Sequence, residues 1–155
     1  MEDLDASPVT DWLVTGGGVY NRRHAKWLVV RKVTHVINCS DDVFLLEVEH
    51  LICQTYGIKC FHNPQPDDGM AKPAAWFRET VRIYELAKAQ DPFFQLYVHC
   101  AGGINRGPSN AYVLLRHSGF NAEKSERLIR EARPVITQNH GLQYIPDAER
   151  YLYSR

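Results

Sequence analysis

One segment constrains this chain more than any other. The apolar run Phe93-Phe94-Gln95-Leu96-Tyr97-Val98 leads without a break into His99-Cys100-Ala101-Gly102-Gly103-Ile104-Asn105-Arg106, and Pro108 to Arg116 then has the pattern of a helix. A buried strand, a tight glycine-bearing loop and a helix joined in this order aim several backbone N–H groups, and the positive end of a helix dipole, at one spot. A cysteine at such a spot is expected as the reactive thiolate. An arginine there presents a planar fork of donors that matches two oxygens of a phosphate. The anion that fits is a phosphoryl group.

The rest of the chain supplies a frame for that junction. Asp11 to Thr15, Thr34 to Cys39 and Ile58 to His62 are short runs rich in apolar or β-branched residues, each closed by glycine, serine–aspartate or proline, as strands are. Helical spacing is expected over His24–Arg31, Val43–Tyr56, Pro73–Ala89, Pro108–Ser118, Ala122–Ala132 with Asn121 as cap, and Gly141–Tyr151. Strands alternating with helices predict an α/β fold: a central, mostly parallel sheet flanked by helices in three layers. Ligands of such sheets collect beyond the C-terminal ends of the strands, where Cys100 falls.

The 155 residues suit one domain, with a core from about 11 to 152. Eighteen basic residues balance eighteen acidic ones, so no nucleic-acid partner is expected. The acidic start Met1-Glu2-Asp3-Leu4-Asp5 lacks an apolar run behind it, so neither a secretory nor a transit segment is expected, and no apolar stretch is long enough to cross a membrane. Cys39, Cys53, Cys60 and Cys100 have no zinc-like spacing, and no metal site is expected. Together these features suggest an intracellular, cytoplasmic or nuclear protein whose thiols stay reduced.

Cys100-x-x-Gly103-x-x-Arg106 preceded by His99 resembles the signature loop of the cysteine-dependent protein phosphatases. Val33 to Ser40 resembles a strand of the dual-specificity branch, with Asn38 near its end. Arg133-Pro134-Val135-Ile136-Thr137-Gln138-Asn139-His140-Gly141 resembles that branch's stretch after the last long helix. The three segments occur in the family's order and span nearly the whole chain.

The resemblance implies a phosphatase fold and a mechanism without metal or cofactor. Cys100 attacks phosphorus and forms a phosphocysteine. Arg106 and the N–H groups of Ala101, Gly102, Gly103, Ile104 and Asn105 hold the phosphoryl oxygens. His99 orders the loop, and an upstream aspartate protonates the leaving group and later activates water. Counting ten residues back from Phe77 gives Asp67, and counting 32 back from Cys100 gives Asp68; the shorter count favours Asp67.

The family usually carries Ser or Thr directly after the arginine. Here that place is Gly107, with Ser109 two residues on, which predicts slower breakdown of the intermediate and makes Gly107→Ser its test. Cys39, at the end of the strand expected beside the loop, is a candidate redox partner for Cys100. Asn21-Arg22-Arg23-His24 is a basic cluster, expected foremost as a solvated helix start.

The implied substrates are phosphorylated proteins, on tyrosine and on serine or threonine, met by a monomer with no membrane contact. Two alternatives remain open. One is a non-protein phosphoester: a phosphoinositide, which the uncharged loop disfavours, or an RNA 5′-phosphate, which the balanced overall charge disfavours. The other is a phosphoprotein-binding module of low turnover.

Overall fold

The computed structural model describes residues 3–155. Five strands form one sheet: β1 (Ala6–Pro8), β2 (Leu13–Gly16), β3 (His35–Asn38), β4 (Lys59–His62) and β5 (Leu96–His99). Their spatial order is β1-β2-β5-β3-β4, and every pairing is parallel except β1 with β2. Six helices accompany them: α1 (Arg22–Val30), α2 (Val43–Thr55), α3 (Ala74–Gln90), α4 (Arg106–His117), α5 (Ala122–Ala132) and α6 (Ile145–Ser154).

The three layers follow from the two-residue period of the strands. Leu13, Ile37, Leu96 and Val98 point to one face, under α3, α4, α5 and α6; their neighbours Val14, Val36 and Tyr97 point to the other, toward α1 and α2. Both faces are apolar because both are covered, as parallel sheets require. β5 lies at the centre between β2 and β3, so the loop leaving it is enclosed on both sides.

Four local expectations change. β1 had no sequence signal: it is three residues long, it contains a proline, and it pairs only at the sheet edge. It carries the fold upstream of residue 11, and Leu4 is buried as well. β5 begins at Leu96 because Asp91 turns the chain, accepting the Phe93 N–H on its side chain and the Phe94 N–H on its carbonyl, and Phe93 stands in solvent. α4 begins at Arg106 rather than Pro108, so the arginine itself lies in the first turn. α6 begins at Ile145 because Gly141 (φ 109°) and Leu142 (φ 53°) are both left-handed, and two such residues cannot start a right-handed helix.

Candidate active site

The loop after β5 is held open from outside. The Cys100 carbonyl accepts from His99 Nδ1 (2.9 Å), Ala101 from the Gly18 N–H (3.1 Å), Gly103 from Arg133 Nε (2.8 Å) and Ile104 from the Leu142 N–H (3.0 Å). With these carbonyls engaged outward, the N–H groups of Ala101, Gly102, Gly103, Ile104 and Asn105 have no protein acceptor among the described residues. Five consecutive donors without a protein partner, over the start of α4, are an arrangement suited to holding an anion. Gly103 has φ 69°, and a Cβ there would stand 2.5 Å from the Gly16 carbonyl carbon, so only glycine fits. Arg133, the first residue of the Arg-Pro stretch, is buried and anchored in turn by Asp5 at 3.2 Å.

Cys100 is 3 % exposed and faces a narrow crevice lined by Gly18, Tyr20, Ser40, Leu45 and Ala101. Tyr20 folds over Gly18 as one wall of that crevice. Burial, and then the charges of Asp42, Cys100 and Glu49, push the Tyr20 phenol up. Arg106 is 7 % exposed, with Nη1 donating to Asp41 Oδ1 (2.8 Å) and to the Gln65 carbonyl (2.9 Å). These bonds fix the guanidinium plane. Its Nε is buried without a partner, so a donor remains for an oxyanion.

His99 sits beneath the loop in a fully buried pair with Glu49. Its Nε2 donates to Glu49 Oε1 at 2.5 Å while Nδ1 donates to the Cys100 carbonyl, so both ring nitrogens face acceptors. Burial alone disfavours the imidazolium. The Glu49 charge and the bonds to Glu49 and Cys100 outweigh it, and the His99 pKa is raised. Asn38 Nδ2 bonds the other Glu49 oxygen and Asn38 Oδ1 accepts from the Ser40 N–H, so Asn38 orders the carboxylate. Tyr97 stacks on the imidazole at 4.9 Å between ring centroids.

The two aspartates separate clearly. Asp67 Oδ1 accepts from the Tyr144 hydroxyl at 2.7 Å, and Asn105 of the loop approaches the same oxygen at 3.5 Å. Asp68 turns away to the Lys72 ammonium (2.8 Å) and the Met70 N–H (2.9 Å), which hold its carboxyl below the usual range.

Other candidates fall outside this group. Ser109 Oγ is buried with no hydrogen-bond partner among the described residues. Asn139 lies exposed in the turn bridged by Thr137 and His140 and makes no side-chain bond to the loop among the described residues. Cys39 is buried next to Cys100, its N–H donating to the His99 carbonyl at 2.7 Å. Burial first, then the Cys100 charge, pushes the Cys39 thiol well up, and a thiol kept protonated is a weak nucleophile toward oxidised sulfur. In the basic cluster, Asn21 caps α1 and Arg23 pairs with Asp3.

Gly107 has a steric reason. A Cβ there would lie 2.8 Å from His99 Cα and 3.0 Å from the Cys100 nitrogen, so α4 packs against the end of β5 through this glycine. Gly107→Ser therefore displaces the loop rather than simply adding a hydroxyl, and it is not a clean test of the missing side chain.

No protein-family model matches the sequence, and no curated protein matches it. Solved structures match over nearly its full length. PTPMT1 in complex with PI(5)P aligns with a TM-score of 0.79 at 13% identity, covering 97% of this chain and 96% of that one. Human DUSP28 aligns at 0.74 and 21%, covering 97% and 94%, and the Cydia pomonella PTP-2 phosphatase at 0.70 and 17%, covering 97% and 89%. The chain has the cysteine-dependent phosphatase fold. No helix among the described residues is long and apolar enough to cross a membrane.

Sequence reasoning missed Glu49, Asp41, Lys72 and Tyr144. Glu49 alone had a signal: it is a charge four residues before Cys53, on the buried face of an apolar helix. Asp41 and Tyr144 owe their places to chain segments far apart in sequence, and Lys72 bonds the nearby Pro66 and Asp68 inside an irregular loop that no spacing rule describes.

Proposed function

We propose that this chain is a cysteine-dependent phosphomonoesterase acting through a phosphocysteine. The observation that carries the reading is the ring of five free amides around a buried cysteine, closed by an arginine with an unpaired Nε. Cys100 Sγ attacks phosphorus and the P–O bond to the leaving group breaks. Arg106 and the amides of residues 101–105 hold the three remaining oxygens, and Asp67 gives the leaving oxygen a proton. Water then attacks phosphorus, the S–P bond breaks, and Asp67 takes the proton back. The mechanism needs a reduced Cys100, which suits an intracellular setting.

For the substrate we place a phosphoinositide with a single phosphate first, reversing the order that the sequence favours. The likeness to a PTPMT1 structure holding PI(5)P supports this. Two features of this chain agree with it. The loop carries one guanidinium and no lysine, which matches one phosphoryl group rather than several. Val43 and Phe44 at the start of α2, beside Asp41, and Met70 on the Asp67 loop are apolar and exposed, as suits a site that meets a lipid surface. Phosphoproteins are the second reading, supported by the likeness to human DUSP28 at similar coverage.

The test is phosphate release from PI(5)P vesicles, phosphopeptides and RNA 5′-phosphate ends, with Cys100→Ser as control. Turnover is expected to be fastest on the vesicles and lost in the variant. Preference for phosphopeptides reverses the substrate order, and release that persists in Cys100→Ser removes the mechanism.

A further inference from the structure

We propose that Tyr144 positions Asp67 as proton donor, and that Lys72, buried beneath the Asp67 loop, clamps the residues on either side of it; this rests on the roles of Cys100 and Asp67 given above. Asp67 is exposed, on a segment with no regular secondary structure, where a carboxylate would ordinarily sample several directions. Here it does not hang free. The Tyr144 hydroxyl donates to Oδ1 at 2.7 Å, and the Gly69 N–H donates to the Tyr144 oxygen at 3.2 Å. Tyr144 is itself 1 % exposed and packs edge-on against Trp76 with ring centroids 6.0 Å apart.

Lys72 explains why the loop stays in reach of that hydroxyl. Its side chain is only 1 % exposed, and a buried ammonium persists only where acceptors replace water. Nζ donates to the Pro66 carbonyl (2.6 Å) and to Asp68 Oδ1 (2.8 Å), and lies 4.9 Å from the centre of the Tyr144 ring. One cation therefore ties the residues before and after Asp67 to the face of the tyrosine that holds Asp67 itself. Asp68, the other sequence candidate for the acid, is part of the clamp.

With Oδ1 engaged by Tyr144, Oδ2 is the oxygen that carries the exchangeable proton. In the first step the Sγ–P bond forms, the P–O bond breaks, and the Oδ2 proton passes to the leaving oxygen. The carboxylate left behind accepts more strongly from Tyr144 than the acid did, so the hydrogen bond gains strength as the transfer proceeds. Burial, and then the bond to Asp67, push the phenol up to about 12, which keeps it a donor at neutral pH.

The test is kcat/KM for a series of aryl and alkyl phosphomonoesters of graded leaving-group basicity, which reports the first step alone. Tyr144→Phe is expected to lose little with good leaving groups and roughly 10–100-fold with alkyl esters, the scale of a hydrogen bond to a charged group. Lys72→Met is expected to steepen the dependence less. A loss equal across the series means a structural role and overturns the proposal. In an Asp67→Asn background the Tyr144→Phe effect is expected to vanish, and its persistence also overturns the proposal. If Tyr144→Phe does not fold, an unchanged slope in Lys72→Met overturns it. A slope that Asp67→Asn leaves unchanged removes both the underlying role of Asp67 and the proposal. A slope that steepens in Asp67→Asn but not in Tyr144→Phe removes the proposal alone.

Discussion

The 100–106 loop and the 64–72 loop meet through Arg106 and Asn105, but one is fixed through its backbone and the other through side chains. In the first, four carbonyls are engaged from outside, and Gly103 and Gly107 pack against main chain at distances that exclude a Cβ. In the second, a buried lysine, an exposed aspartate and a tyrosine hydroxyl hold a loop with no regular secondary structure. The difference matches the roles proposed for the two loops. An anion cradle works by being preorganised, with no rearrangement as charge develops. A proton donor must release and recover its proton and admit a leaving group, so a hold made of a few hydrogen bonds is enough.

The sharpest way to break the contrast is to add one methyl group to the backbone-held loop. Gly103→Ala places a Cβ 2.5 Å from the Gly16 carbonyl carbon at a left-handed position, so it combines overpacking with backbone strain. The expected loss of stability is about 2–5 kcal/mol. Turnover is expected to disappear with the geometry of the amides. Urea unfolding and phosphate release measure the two losses, and an active, wild-type-stable variant would show that the loop has slack.

Next comes the side-chain-held loop, where the two neighbouring aspartates serve as each other's control. Asp67→Asn keeps the hydrogen bond from Tyr144 but removes the proton, and kcat on a poor leaving group is expected to fall roughly 10²–10⁴-fold. Asp68→Asn keeps an acceptor for Lys72 and is expected to fall far less. Equal losses at the two positions would mean that neither acts as the acid and that the loop matters only as a unit.

Most of the architecture was legible because it follows from local rules. Short apolar and β-branched runs along β2, β3 and β5, set between helical segments, marked a sheet flanked by helices, and Asn121 caps α5 by accepting from the Lys124 N–H, as its residue type suggests. The strand–loop–helix junction was legible for the same reason, since cysteine, glycine and arginine lie within seven residues of one another. What was not legible is what crosses the chain. Tyr144 reaches Asp67 over 77 positions and Glu49 reaches His99 over 50, and neither pairing follows from a spacing rule. Gly107 shows a subtler limit: its departure from the family pattern suggests a missing hydroxyl, whereas the packing of α4 on His99 and Cys100 requires a missing Cβ.

The smallest expected effect on turnover concerns the support below the cradle, and it separates charge from shape. Glu49→Gln keeps an acceptor for Asn38 and can turn a donor toward His99 Nε2, so the packing survives while the charge goes. In the wild type the His99 pKa is raised above its unfolded value. Its contribution to stability is therefore fully present below the ordinary imidazole pKa of about 6.5 and fades as pH rises through the folded value. In the variant, burial acts without Glu49 and drives the pKa the other way. The contribution of His99 is then present above the ordinary value and lost as pH falls from there through the depressed folded value. Imidazole NMR titration, with His99→Gln to assign the signal, and urea unfolding across pH follow the two trends. A His99 that titrates at or below the ordinary value in the wild type would show that the buried pair is held by hydrogen bonding between neutral groups, and that no cation lies beneath Cys100.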